Sequence, residues 1–461
     1  MTDHAFLEAT LSPDQVSRTA TDRTAHGADW GTAPDETAPP DVVVWPESTA
    51  EVAAVLAAAT ERGVPVTPFA AGSGIAGNAV PTHGGISLDL TRMDAIVDVR
   101  PADRQIDVEA GVVGDVINDA VADHGLFFPA LPTSGDRATV GGMLATNASG
   151  KRTVKYGKVG DWVREIEVVL ADGSVLTAGT RAEKTSSGYD LRDLIVGSEG
   201  TLGVVTRATL SLTGRPAESR VGRATFAQLA DATDAAAALV AAGVDVSALE
   251  LVDGLSARMV NDYVGSSLEE GPTLFVELQA DYGLDAAVEA CRDTLAAHDP
   301  TTLVLEAGTD ESAIWEPRRE LADAVREYYP DRRSLHAGDV AVPLGALSAI
   351  VEHIHELSTA HDVPIPTFGH AGDGNVHFDV LVDPTDEAAV AEAHTIYESI
   401  VTRGIELGGT ATGEHGIGRA KREFLPVEHG ETGVATMQAV KDALDPAGTL
   451  NPGKVFPASA E

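Results

Sequence analysis

Short runs of apolar and β-branched residues recur between Asp41 and Leu212: DVVVWP, VPVTPF, GGISLDL, QIDVEAGV, EIEVVLADGSVL and TLGVVTRATLSL. Their length and composition predict strands. Two helical rhythms interrupt them. STAEVAAVLAAATERG predicts a helix capped by Ser48 or Thr49 and stopped at Gly63, and VGDVINDAVADHG predicts another. Strands joined irregularly, with only occasional helices, imply an α+β fold rather than regular βαβ units. The first forty residues lack either rhythm and predict a loosely ordered start.

The texture changes at Arg215–Pro216. Longer Ala-rich helical stretches, FAQLADATDAAAALVAAG and LDAAVEACRDTLAAH, alternate with the strand-like GPTLFVELQA and VHFDVLV. This predicts a second α+β domain over residues 216–420, following a first over residues 1–215. A helix near ATMQAVKDALDP and the segment GTLNPGKVFP close the chain.

Composition narrows the class. The 461 residues are 43% hydrophobic with mean hydropathy near zero, as expected of a globular protein. No apolar run approaches a membrane span, and the first residues lack the pattern of a signal peptide. Cys291 is the single cysteine, so neither an internal disulfide nor an iron–sulfur cluster can form within the chain. A cytoplasmic protein is expected, soluble or held at the membrane periphery by an electron-acceptor partner. The 71 acidic residues against 32 basic ones give a net charge of −39. That field repels nucleic acid and suits work in concentrated salt, a halophilic setting. An anionic substrate would need local positive charge.

Gly72, Gly74 and Gly77 spell G-x-G-x-x-G, the dinucleotide fingerprint. The fingerprint needs a helix opening directly from it. Here Pro81 and the pair Gly84-Gly85 follow, and they forbid that helix. Such a loop can still offer backbone N–H groups to a phosphate. Two more segments rich in small residues, Pro132–Gly150 and Val196–Thr206, suggest an extended ligand lying against backbone.

A second chemical signal is FGHAGDGNVHFDV, in which His370 and His377 flank a turn-forming segment. GTATGEHGIG sets Glu414 beside His415. Two histidines and a carboxylate suit a catalytic divalent metal, although a lone pair of histidines is more often two ordinary polar side chains. His353 and His355 fall on a predicted helix and should remain solvated.

PFAAGSGIAGNAVP, GGISLDLTRMD, ATVGGMLATNASG, SGYDLRDLIVGSEGTLGVVT and NPGKVF resemble, in order, the FAD-binding segments of flavoenzymes related to vanillyl-alcohol oxidase. The resemblance is to the branch of D-lactate dehydrogenases and glycolate oxidase large subunits, and runs from about Asp41 to Phe456. It implies a two-subdomain FAD domain, residues 1–215 completed by 421–461, and a cap domain over 216–420 that carries a metal site and binds the substrate. It implies that Phe69, Ala70, Ala71, Gly72, Ser73, Gly74, Gly77 and Asn78 hold the pyrophosphate. Pro132, Thr133, Thr139, Gly141, Gly142, Asn147 and Ser149 would line the flavin. Glu199, Gly200 and Val205 would contact the adenine end, with Asn451 of the tail also binding the cofactor. Ser73 stands where relatives with covalent FAD carry histidine, so the FAD should be noncovalent. Ala70-Ala71 and Gly74 depart mildly from the family pattern.

HAGDGNVH and GEHGIG resemble the family's metal-binding and catalytic motifs. By that resemblance His370, His377 and Glu414 bind Zn²⁺ or Mn²⁺, and His415 is the general base. WEPRREL resembles the family's W-x-x-R, making Arg318 the carboxylate anchor, a role its planar guanidinium suits. The expected reaction is oxidation of a D-2-hydroxy acid to the 2-keto acid, D-lactate to pyruvate first. A glycolate oxidase large subunit is the alternative. A flavin transferase like alkylglycerone-phosphate synthase, or a flavin-free metal hydrolase, is a more distant one. The acceptor is open among a quinone, a cytochrome and an electron-transfer flavoprotein, as are a homodimer and an iron–sulfur partner subunit.

Overall fold

The helix expected after Ser48 forms as Thr49–Arg62: the Ser48 hydroxyl accepts from the Glu51 amide, and Gly63 ends it at φ +62°. The computed structural model describes residues 4–307 and 311–457. The chain divides into two compact units, residues 1–149, 158–215 and 414–461 in one, and residues 150–157 and 216–413 in the other.

In the first unit, the helix Thr49–Arg62 crosses between the parallel strands Val42–Val44 and Val66–Phe69, with Ile86–Asp89 paired between them. Val42, Val43 and Val44 are each completely buried. Each such side chain is worth about 1.5–3 kcal/mol, which explains the unbroken apolar run. A second sheet of five antiparallel strands has the order Ile96–Arg100, Gln105–Glu109, Val204–Ser211, Val163–Val169, Val175–Gly179. Each sheet has its own core.

The N-terminal segment is better ordered than its sequence suggests. Strand Val16–Ser17 joins the first sheet against Val43 and Val44, and Leu7 and Leu11 are buried in its core. The buried His26 and the Trp45 indole both bond the Asp89 carboxylate, at 2.8 and 2.9 Å. Isolated anchors of this kind leave no periodicity to read.

The second unit is built on a seven-stranded antiparallel sheet, ordered Thr302–Ala307, Glu218–Thr225, Thr273–Ala280, Val246–Val252, Thr367–His370, Asn375–Phe378, Gly338–Ala341. Val246–Val252 is central, and every residue in it is buried. Helices Leu229–Ala241 and Leu347–His361 pack on one another. On the latter, His355 is exposed while His353 bonds the Ser399 hydroxyl at 3.1 Å.

Packing draws the boundary differently from sequence texture at two places. Residues 150–157 join the second unit because helix Thr153–Tyr156 packs on Val246–Val252. Residues 414–420 join the first because the Ile417 and Gly418 amides bond to Glu199. No helix among the described residues is long and apolar enough to cross a membrane.

Candidate active site

Strand Val66–Phe69 delivers the glycine loop of the first unit, and no helix follows it. Gly72 and Gly77 take φ +63° and +73°, which side chains resist. The loop is held from behind: the Trp30 amide donates to the Gly72 carbonyl and the Gly31 amide to that of Gly74. A Cβ on Gly77 would lie 2.7 Å from Arg419 Cγ. Phe69, Ala70, Ser73 and Gly74 are partly accessible and Ala71 is exposed, so their backbone can meet a ligand. The buried Asp29 carboxylate stands beside the loop, and burial pushes its pKa up.

In the second small-residue segment, Pro132 is half-buried and Thr133 exposed. Thr139 caps helix Val140–Thr146, accepting from the Gly142 amide. Gly141 lies against Ala110, while Gly142 is exposed. Asn147 ends the helix at φ +49° and accepts from the Gly160 amide at 2.9 Å. In the third, a Cβ on Gly200 would lie 2.9 Å from Pro68 Cγ, and Val205 is buried in strand Val204–Ser211.

Glu199 ties these loops together. Its buried carboxylate accepts from Asn78 Nδ2 at 2.5 Å and from the Ile417 and Gly418 amides, each at 2.8 Å. Asn451 Nδ2 donates to the Asn78 and Glu199 carbonyls. Burial raises the Glu199 pKa against these bonds. Its carboxylate therefore organises the loop carrying His415, whose carbonyl also accepts from Asn78 at 3.2 Å. Ser149 donates to Glu414 Oε2 at 3.0 Å, and Glu414 Oε1 lies 3.7 Å from His415 Nε2. Gly416, at φ +78°, keeps this turn clear of Asn78 and Glu199, which a Cβ would meet at 2.9 Å.

In the second unit His370 ends strand Thr367–His370, and His377 lies on the adjoining Asn375–Phe378. The connecting turn depends on Gly374, at φ +80°, whose Cβ would strike the Val342 carbonyl. The two rings stand perpendicular, 5.2 Å apart. Each histidine has a buried acid as its cross-strand partner: Glu250 opposite His370, and Asp339 opposite His377. His370 Nδ1 lies 2.6 Å from Glu250 Oε1, so Nε2 is the nitrogen suited to a metal. His377 Nδ1 is 3.8 Å from Asp339 Oδ1. Asp339 also accepts from Asn375 Nδ2 at 2.7 Å and Thr412 Oγ1 at 2.8 Å. Metal-binding histidines are commonly backed by carboxylates in this way, so the donor set fits a divalent metal.

Arg318, on helix Glu311–Arg319, pairs with Glu250 Oε2 at 2.7 Å and stands over the Phe368 ring. The Arg318 side chain is 11% exposed, while Arg319 beside it is exposed. Burial would raise the Glu250 pKa, but its interactions with His370 and with the Arg318 guanidinium outweigh this and hold the pKa below the ordinary value. Sequence reading alone missed Glu250 and Asp339. Their signal is an acid inside an apolar strand, in ALELVD and GDVAVP.

Comparisons with known proteins give the family. The profile described as "FAD linked oxidases, C-terminal domain" matches residues 215–455, and "FAD binding domain" matches 40–179. D-lactate dehydrogenase (cytochrome), mitochondrial, of Arabidopsis thaliana is 34% identical over 97% of this chain and 79% of its own. Glycolate oxidase subunit GlcD of Bacillus subtilis is 33% identical over 90% of this chain and 89% of its own. Among solved structures, 4-ethylphenol oxidase from Gulosibacter chungangensis superposes with TM-score 0.79 at 20% identity, covering 98% of this chain and 96% of its own. p-Cresol methylhydroxylase gives TM-score 0.79 at 15% identity, covering 99% and 96%. These distant neighbours share the α+β, vanillyl-alcohol-oxidase-type fold. By sequence and by fold, the chain belongs to the family of FAD-linked oxidases.

Proposed function

We propose that the protein oxidises a D-2-hydroxy acid to the 2-keto acid with noncovalent FAD, D-lactate to pyruvate being the first substrate to test. Its relatives' names support this reaction class. The observation that supports the reading is the largely buried line His370–Glu250–Arg318, in which an imidazole and a guanidinium meet the two oxygens of one acid.

Backbone of the glycine loop and of the 132–150 segment holds FAD, with Glu199, Gly200, Val205 and Asn451 as the supporting frame. FAD, when bound, supplies the acceptor for the hydride leaving the substrate's carbinol carbon. His370, His377 and Glu414 would hold Zn²⁺ or Mn²⁺, whose Lewis acidity would favour loss of the hydroxyl proton. Arg318 Nη2 faces Glu250, and the other guanidinium donors grip the substrate carboxylate. This supplies local positive charge within an acidic protein. His415 Nε2 or Nδ1 takes the hydroxyl proton. Glu414 and Asn78 orient its loop. The electrons leave to an acceptor such as a quinone, cytochrome or electron-transfer flavoprotein.

An anaerobic flavin spectrum in high salt tests the reading. D-Lactate should bleach the band and L-lactate should not. A band unmoved by D-lactate, glycolate and longer D-2-hydroxy acids would overturn it.

A further inference from the structure

Glu250 is completely buried at the centre of the seven-stranded sheet, an environment hostile to a carboxylate. It is retained with two partners on opposite oxygens. Oε1 meets His370 Nδ1 at 2.6 Å and Oε2 meets Arg318 Nη2 at 2.7 Å. The first partner is also its cross-strand neighbour, so sheet register fixes that bond. The second arrives from helix Glu311–Arg319, and Phe368, two residues before His370 on the same strand, supports the guanidinium at 5.2 Å. Asp339 does something different. Its oxygens accept from Asn375 and Thr412, which brace the histidine turn and the 410–412 segment.

We propose that Glu250 is a positioning residue serving two functions at once: it fixes the His370 tautomer for the metal and holds Arg318 for the substrate carboxylate. This rests on the reading of His370 as metal ligand and Arg318 as anchor. The two functions share one side chain, so metal affinity and substrate affinity are coupled through it. Only a carboxylate serves both. An amide offers one acceptor oxygen, and its NH₂ would face either the His370 Nδ1–H or the guanidinium, donor against donor. A carboxylate one methylene shorter keeps the charge and restores acceptors at longer reach.

The test compares wild type, Glu250→Gln and Glu250→Asp as FAD-loaded full chains. Zn²⁺ is titrated against a competing chelator, and D-lactate KM and kcat are measured separately. Glu250→Gln should weaken Zn²⁺ binding about 10–100-fold. It should also raise KM about tenfold or more, with FAD content unchanged, and Glu250→Asp should recover part of both losses. A purely structural role would lower melting temperature and kcat without moving Zn²⁺ affinity and KM together. If wild type binds Zn²⁺ and oxidises D-lactate while Glu250→Gln matches it in both constants, only the positioning role falls. If wild type binds neither Zn²⁺ nor Mn²⁺, the metal reading and the positioning role fall together.

Discussion

The glycine loops of the first unit and the histidine sheet of the second solve opposite problems. The loops present backbone: Gly72 and Gly77 take left-handed angles, and Gly77 leaves room for Arg419. Side chains there serve as struts, with Glu199 holding the Asn78, Ile417 and Gly418 ends together. The sheet presents side chains. His370 and His377 project from paired strands, and each faces an acid buried by the strand opposite. A cofactor common to many reactions can be gripped by main chain, which is independent of side-chain identity. A small acid that must be oriented for hydride loss calls for charged groups held rigidly. The comparison teaches that cofactor affinity and substrate chemistry should be separable by mutation.

The largest separation is expected at His415. Asn at that position should lower the rate of flavin reduction by D-lactate about a thousandfold, while FAD stays bound. Rapid mixing under anaerobic conditions measures it, and a retained rate would remove His415 as the base. Gly77→Ala should do the reverse. The Cβ meets Arg419 at 2.7 Å, and the left-handed angle costs about 1–2 kcal/mol. Equilibrium binding should show FAD affinity reduced about tenfold, with D-lactate KM unchanged once the protein is saturated with FAD. A changed KM would break the separation.

A smaller effect tests the second unit's stability alone. Asp253 caps helix Gly254–Val264, and burial pushes its pKa from 3.8 to about 6. Between those values the folded protein keeps a proton that the unfolded chain releases, so stability falls as pH rises through that window. Asp253→Asn keeps the cap and removes the charge. It should stabilise the protein by about 1 kcal/mol at pH 8 and by nothing at pH 3.5, read by thermal melting at both values.

Much of this division was legible in the sequence, for identifiable reasons. Ser48 and Gly63 bound their helix because capping is local. Pro81 and Gly84-Gly85 exclude a helix after the glycine loop, and none forms there. HAGDGNVH is a hairpin-like turn, so the nearness of His370 to His377 is local too. Glu250 and His370 are 120 positions apart, and Asp339 and His377 are 38 apart. These pairings follow from sheet order, which no periodicity encodes. The N-terminal segment was missed because single anchors, Leu7, Leu11 and His26, dock it without a repeating pattern.

The most direct test of the separation is metal removal. The FAD-loaded protein is dialysed against a strong chelator in high salt and mixed anaerobically with D-lactate. The account predicts an unchanged oxidised flavin spectrum, loss of reduction by D-lactate, and recovery on adding Zn²⁺ or Mn²⁺. Flavin reduction at the original rate in metal-free protein would contradict it.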